Sequence, residues 1–235
     1  MVINSHAYDK LETARAISQI WDVLTADQRT LLLQRIQINT YQKNEIIHDE
    51  GAGPEFMMCL MQGKVKVYLS GDVGRNSIVR LIKPLELFGY RAFFTGDKYQ
   101  TTAAAFEDCV IAAVPLTLLE RLVNENPKVG LCLIKDLCGY LGHADNRTVT
   151  LTQKHVRGRM AETLLFLEET YGYEQDQHTL SIYISREDIA CMSNMTTANA
   201  IRTLSSFVSD KMITTDGRKI KIIDEQKLRE TSRTG

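Results

Sequence analysis

The chain has 235 residues, 28 Lys and Arg against 29 Asp and Glu, and a hydrophobic fraction of 44%. This length suits one large or two modest domains, and the composition is that of an ordinary globular protein. The sequence contains no apolar run as long as a membrane span and no basic-then-apolar signal peptide, so a cytoplasmic protein with no membrane partner is expected. The five cysteines are scattered and odd in number, which favours reduced, mostly buried thiols.

The N-terminal part of the chain is predicted to be helical over residues 8–36. Apolar residues recur at helical spacing between Leu24 and Ile36, and Thr25 followed by Gln28 has the pattern of a capping box.

From Tyr41 to Val114 the pattern changes to short strands separated by glycine turns. The strand-like segments are EIIHDEG, FMMCLMQG, KVKVYLSG, SIVRLI and TTAAAFEDCVIAAV, with turns at 51–54, 63, 71–74 and 96–97. Closely spaced short strands of this kind predict an antiparallel roll or barrel.

Helical spacing returns after Pro115, and a long helix is predicted from Pro127 to about His155. Residues spaced three and four apart form a seam along it: Leu133, Leu137, Tyr140, Ala144, Arg147 and Leu151. A narrow apolar stripe on so long a helix favours pairing with a second copy of the chain. The alternative is a long helix that packs on its own domain. Gly139 and Gly142 lower the helix propensity of the segment, which counts against a long paired helix.

The segment 181–223 predicts a winged helix-turn-helix. Ser185 with Asp188 has the pattern that starts a first helix, and Asn194 falls at the turn, where asparagine tolerates the left-handed backbone. Thr196 can then cap a second helix. A hairpin follows, because MITT and KIKII flank Asp216–Gly217, a strong tight-turn signal.

In this motif, the second helix binds in the major groove of DNA. The side chains assigned to DNA contact are Thr196, Thr197, Ala198, Asn199, Arg202 and Ser206, with Arg218 and Lys219 at the hairpin tip. Arg202 can pair bidentately with guanine and Asn199 with adenine. Thr197 and Ala198 can touch a thymine methyl, while hydroxyl groups hold phosphates.

The order of elements resembles the cyclic-AMP receptor protein/FNR (CRP/FNR) superfamily of bacterial transcription regulators. The resemblance extends from about Leu24 to Ile223 and is most specific in EGAGPEFMMCLMQGKVKVY, HVRGRMAETLLFLEE and SREDIACMSNMTTANAIRTL. It implies an α+β fold with an N-terminal antiparallel β-roll of the cyclic-nucleotide-binding type (a double-stranded β-helix) with flanking helices, then a long dimerisation helix and a C-terminal winged helix-turn-helix.

The resemblance also implies a separate role for each of three parts of the chain. Residues 1–126 would sense an effector, 127–156 would form the dimerisation helix and hinge, and 157–235 would bind DNA. A homodimer would read a palindromic promoter site, with RNA polymerase as a further partner if the protein is an activator.

The segment that matches the family's effector pocket departs from the pattern of cyclic-nucleotide-binding members. The positions concerned are Gly89, Tyr90, Arg91, Gln100 and Thr101 in the roll, together with Asp145 on the long helix, where those members have a hydroxyl side chain for the base. Gly89 is kept, but Tyr90 stands where those members have a glutamate for the ribose, and Gln100 stands where they have an arginine for the phosphate. Cyclic AMP is therefore not expected to be the effector, unless Arg91 replaces the lost arginine.

The sequence assigns no cofactor. An iron–sulfur cluster of the FNR kind needs clustered cysteines, and no cysteine precedes Cys59. Haem needs only one or two ligands, so haem or another small effector remains an alternative, with His48, His143, Cys59 and Cys109 as candidate ligands.

Two rival classes follow from the same residues. A cupin enzyme needs a His-x-His pair, and the histidines here are dispersed, so no enzymatic activity is expected. The near-neutral charge of the C-terminal part keeps a second alternative, a regulatory effector-binding module whose winged helix contacts protein rather than DNA. The effector, the operator, the target genes and the choice between activation and repression are not readable from the residues.

Overall fold

The computed structural model describes residues 8–71 and 76–234, which form two compact units. The first unit holds the chain up to Ser70 together with Val79–Leu141, and the second holds the chain from Gly142 onward together with the stretch 71–78. The predicted turn at 71–74 lies largely outside the described residues.

The first unit begins with three helices, α1 (Lys10–Ala16), α2 (Ser18–Trp21) and α3 (Ala26–Arg35). The predicted capping box is present at the start of α3: the Thr25 side chain accepts from the Gln28 N–H, and the Gln28 side chain accepts from the Thr25 N–H. The two reciprocal bonds satisfy N–H groups that have no partner within the helix.

The β-roll follows the helices and consists of two four-stranded antiparallel sheets, ordered β1-β8-β3-β6 and β2-β7-β4-β5. Its elements are β1 (Gln37–Tyr41), β2 (Ile46–His48), β3 (Phe56–Gln62), β4 (Val65–Ser70), β5 (Asn76–Ile82), β6 (Leu87–Phe88), α4 (Arg91–Thr95), β7 (Thr102–Ala105) and β8 (Cys109–Pro115). The segment TTAAAFEDCVIAAV divides into β7 and β8, one strand in each sheet.

Two apolar clusters hold the first unit together. One fills the space between the sheets and includes Leu60, Val65 and Ile111. The other joins the outer face of the roll to the helices and includes Trp21 and Leu119. Burial of such side chains contributes roughly 1.5–3 kcal/mol each.

Gly63, in the turn between β3 and β4, has a φ of +90°, and a Cβ built there would lie 2.4 Å from the Asp108 carbonyl oxygen. Only glycine fits this close approach of two backbones.

Helix α5 (Leu116–Glu125) closes the roll, and α6 (Pro127–Gln153) is the predicted long helix. The second unit then continues with α7 (Val156–Tyr171), α8 (Arg186–Met192), α9 (Thr197–Ser209), β9 (Ile213–Asp216), β10 (Lys219–Ile222) and α10 (Glu225–Thr234). No helix among the described residues is both long enough and apolar enough to span a membrane.

Candidate nucleic-acid interface and effector pocket

The turn between α8 and α9 is built by the residues that the sequence singles out. Ser185 Oγ accepts from the Asp188 N–H at 3.0 Å, and Thr196 Oγ1 accepts from the Asn199 N–H at 3.2 Å. Asn194 has a φ of +48°, the left-handed conformation predicted for it. Arg159 donates to the Asn194 carbonyl oxygen at 3.2 Å, which ties the turn to α7. Both helix starts are therefore fixed by local hydrogen bonds.

Helix α9 has one buried face and one open face. Ala200, Leu204 and Phe207 are buried in the second unit. The exposed residues of its first turns are Thr197, Ala198, Ile201, Arg202 and Ser205, which we call the reading face. Three residues assigned to DNA contact, Thr197, Ala198 and Arg202, lie on this face.

Two other assigned residues of α9 are half-buried and bonded within the unit. Asn199 Oδ1 accepts from Arg202 Nη2 at 2.6 Å, so Asn199 holds the guanidinium in place. Ser206 Oγ accepts from Arg157, which also pairs with Asp210 at 2.7 Å and lies over the Phe207 ring. The geometry gives both side chains a positioning role beside any contact with DNA.

The predicted wing is the hairpin of β9 and β10. Asp216 pairs with Lys219, so the connecting loop is Gly217–Arg218, with a φ of +54° at Gly217. A two-residue loop with glycine first suits the right-handed twist of the strands. Arg218 lies exposed at the tip, whereas the Lys219 ammonium lies 5.0 Å from the centre of the Tyr183 ring.

A cavity of about 140 Å³ opens in the first unit. Its lining consists of His48, Val67, Val79, Arg80, Phe88, Gly89, Tyr90, Arg91, Ala92, Thr95, Asp97, Lys98, Tyr99, Gln100, Thr101 and Tyr140. The structure thus brings together five of the six predicted pocket residues. Asp145, the sixth, lies in the second unit.

Gly89 and Tyr90 are two adjacent residues of the cavity lining. A Cβ on Gly89, whose φ is +84°, would lie 2.4 Å from Met58 Cε and 3.0 Å from the Phe56 carbonyl oxygen. Tyr90 is buried, and its hydroxyl donates to Asp136 Oδ2 at 2.6 Å. Burial, followed by the hydrogen bond and charge of Asp136, raises the pKa of Tyr90 well above its usual value. The Tyr90 phenol is therefore neutral and engaged with α6.

Positive charge dominates the lining. The guanidinium groups of Arg80 and Arg91 each lie 5.0 Å from the centre of the Tyr140 ring. Arg80 also lies 3.5 Å from Glu86, while Arg91 makes no ion pair within the described part of the chain. Sequence reasoning missed Arg80 and Tyr140 as pocket residues, because Arg80 lies on β5 and Tyr140 on α6, outside the segment that matches the family's effector pocket.

His48 lies in the same cavity and stacks on Tyr99, with ring centres 3.8 Å apart. Its Nδ1 is buried without a hydrogen-bond partner among the described residues. Burial lowers the pKa of His48 to about 4, against weaker opposing effects of Thr101 and Asp49, so the ring is neutral at physiological pH.

The five cysteines are free, and two of them, Cys59 and Cys109, are buried. Burial raises the pKa of each of these two thiols to about 12, with smaller contributions from nearby carboxylates. Both are therefore protonated at neutral pH, and a metal ion would have to displace the proton before either sulfur could bind it. The candidate haem ligand His143 is exposed in the second unit.

The predicted seam of α6 largely faces the chain's own units. Leu133 is only 4% exposed and Leu137 packs against the same core, while Tyr140 lines the cavity. Arg147 donates to the carbonyl oxygens of Ile78 and Met192. Leu133 is therefore packed in the core of its own unit, and the assignment of the seam to a dimer interface stays a prediction. Ala144 and Leu151, the other two seam residues, are half-buried.

The neighbouring face of α6 is the open one. Leu131, Ile134 and Leu141 are 56%, 54% and 60% exposed, and Cys138 between them is exposed too. These four residues, which we call the exposed stripe, follow the same alternation of three and four. Both faces of this part of α6 are apolar, and the core of the first unit covers the face that includes Leu133 and Leu137.

Models of two known domain families match the chain, one in each of the two units. A model of the cyclic nucleotide-binding domain matches residues 38–126, and a model of the Crp-like helix-turn-helix domain matches residues 158–231. The first range lies in the first unit and the second range in the second unit.

Individual relatives are distant but cover most of the chain. The global nitrogen regulator of Nostoc sp. is 24% identical over 188 residues, which cover 79% of this chain and 84% of that protein. The CRP-like cAMP-activated global transcriptional regulator of Mycobacterium tuberculosis is 20% identical over 203 residues, which cover 86% and 91%. The solved structure of FixK2 from Bradyrhizobium japonicum has a TM-score of 0.77 at 23% identity and covers 85% of this chain and 98% of that one. Taken with the two domain matches, these relatives show that the chain belongs to the CRP/FNR superfamily of DNA-binding transcription regulators.

Proposed function

We propose that this transcription regulator works as a homodimer whose two α9 helices read the half-sites of a palindromic promoter. The observation that carries the proposal is the reading face, where Asn199 holds the Arg202 guanidinium on an open helix surface. A fixed guanidinium suits the paired acceptors of guanine in the major groove. The alternative, a module whose winged helix contacts protein, is not favoured, since the chain matches the Crp-like helix-turn-helix domain.

Substitution of Arg202 tests this proposal. Arg202→Ala should weaken binding to a promoter fragment by ~1–3 kcal/mol and relax the preference at one base pair of each half-site. Fluorescence anisotropy at fixed salt measures both effects, with the exposed Arg233→Ala as a matched control. Unchanged specific affinity in Arg202→Ala would show that α9 is not the reading helix.

The exposed stripe is our proposed dimer interface. Apolar residues alternating by three and four suit a parallel pair of helices in which each stripe covers the other. This arrangement leaves Leu133 and Leu137 in their own core. It replaces the seam expected from the sequence by a face that is open in the single chain.

The cavity of the first unit is our proposed effector site, and its residues do not fit cyclic AMP. Tyr90, at the ribose-binding position, is bonded to Asp136, and Gln100, at the phosphate-binding position, carries no charge. Arg80, Arg91 and Lys98 against Asp97 favour a small organic anion.

Isothermal titration with cyclic AMP and a panel of small carboxylates tests this choice of ligand. A small carboxylate should bind, and Arg91→Ala should weaken its binding, whereas the exposed Arg121→Ala should not. Micromolar affinity for cyclic AMP would contradict the assignment. An absorbance spectrum of protein purified without air tests the haem alternative.

The partners and location follow from the DNA-binding role. A bacterial regulator of this kind would act in the cytoplasm and, if it activates transcription, would contact RNA polymerase. Catalytic activity is not part of the proposal.

A further inference from the structure

The reading face carries one large apolar side chain that sequence reasoning did not assign. Ile201 is 47% exposed on α9, in the turn that follows Ala198 and directly before Arg202. A single exposed apolar residue is common on protein surfaces and is not by itself a site. The position of Ile201 within the reading face is what distinguishes it.

The spacing places Ile201 beside two residues already assigned to the groove. Ala198 and Ile201 are exposed and three residues apart on α9, so helical geometry places them as neighbours that present an apolar strip on the helix surface. Arg202 lies at the edge of this strip, where Asn199 holds its guanidinium. The strip and the charged group therefore present two different chemistries side by side.

The edge of a base pair in the major groove offers one apolar group, the 5-methyl of thymine. Polar edges would be left without partners against a strip of methyl groups, at a cost in binding free energy. An apolar strip that enters the groove therefore discriminates in favour of thymine.

We propose that Ile201, supported by Ala198, is a specificity-determining residue that contacts a thymine methyl next to the base pair read by Arg202. This inference rests on the proposed function, because it requires α9 to enter the groove. It goes beyond that function by fixing the chemistry of a second base pair in each half-site.

The test removes the methyl group from DNA and the side chain from the protein separately. Each thymine of a selected operator is replaced by uracil, one position at a time, and affinity is measured by anisotropy at one salt concentration. For the unaltered protein, one position per half-site should lose about fourfold, the ratio expected for burial of one methyl group. Ile201→Ala should bind thymine DNA more weakly and lose the sensitivity to uracil at that position only.

Val208→Ala is the matched control, because Val208 is 38% exposed on the same helix but lies in a later turn. It should keep the full uracil effect. Thermal melts check that the variants fold, which is expected since both side chains are exposed.

The possible failures are distinguishable. If Ile201→Ala keeps the uracil effect, or if no thymine methyl matters, while Arg202→Ala still weakens binding, the Ile201 inference is wrong and the proposed function stands. If neither substitution changes specific affinity, the assignment of α9 as reading helix is wrong as well.

Discussion

The two units differ in what positions the side chains of their candidate sites. In the second unit, the residues that build the turn and both helix starts, Ser185, Asn194 and Thr196, have the predicted geometry. In the first unit, Gly63 and Gly89 allow close approaches of the backbone in the roll, and the cavity is lined by side chains from several elements. A roll scaffold depends on a few backbone positions, so its ligand chemistry can change without a change of fold.

The largest change in operator affinity is expected from substitutions that separate the two copies of the proposed dimer. Ile134→Glu with Leu141→Glu places charges on the exposed stripe, and the loss of the second half-site should weaken operator binding by roughly 10²–10⁴-fold. Light scattering should show the monomer mass. Leu85→Glu, at a similarly exposed apolar residue of the roll, is the control and should stay dimeric. A dimer of the stripe variant with unchanged affinity would contradict the proposed interface.

Cys138 gives an independent test of the same interface. In a parallel pair of helices, the two Cys138 side chains of the stripe face one another at a distance that suits a disulfide. A mild oxidant should therefore yield a cross-linked dimer, seen on a non-reducing gel, with Cys132→Ser but not with Cys138→Ser. Cross-linking that survives Cys138→Ser would place the contact elsewhere.

A smaller effect, on the free energy of unfolding, is expected from a substitution in the β-roll of the first unit. Gly63→Ala would force a Cβ to within 2.4 Å of the Asp108 carbonyl oxygen at a positive φ, and should lower the free energy of unfolding by ~2–4 kcal/mol. Gly53→Ala, where nothing lies within 4 Å of an added Cβ, should cost far less. Urea unfolding followed by circular dichroism measures the difference. Equal stability of the two variants would refute the close-approach argument.

His48 should make stability depend on pH. Its pKa is about 4 in the folded state and near 6.5 when unfolded, so below pH 6.5 the unfolded chain binds the proton more readily. The free energy of unfolding should fall by about 1–2 kcal/mol between pH 6.5 and pH 4, reduced from the full value by partial exposure. His48→Phe, which keeps an aromatic ring on Tyr99, should remove this slope in urea titrations at several pH values. The exposed His155→Phe should retain it.

The smallest effect is expected at the wing. Arg218→Ala removes an exposed charge from the hairpin tip, so it should reduce the slope of log affinity against log salt by about 1 without altering base preference. Anisotropy across a salt series measures the slope, with the exposed Arg233→Ala as the control. A change in base preference would mean that Arg218 reads bases.

Elements with local signals were predictable from the sequence. The capping box at Thr25, the left-handed Asn194 and the glycine turn of the wing each leave a pattern within a few residues. Strand β1 and the two-residue strand β6 were missed, because β1 is defined by its pairing with β8 and β6 is too short for periodicity.

The candidate sites were predicted only where they are local. Gly89 and Gln100 were assigned to the pocket because they lie in the segment that matches the family, whereas Arg80 on β5 and Tyr140 on α6 lie outside that segment. Ile201 was not assigned to DNA contact from the sequence. Only the burial in the folded structure shows that this apolar residue is exposed and does not belong to the core.

The central claim is that two copies of the chain read a palindrome, and selection of bound duplexes from random-sequence DNA tests it most directly. We expect an enriched inverted repeat, with half-sites centred about one helical turn apart and a guanine and an adjacent thymine in each half-site. Enrichment of a single half-site without its inverted copy, or no enrichment at physiological salt, would contradict it.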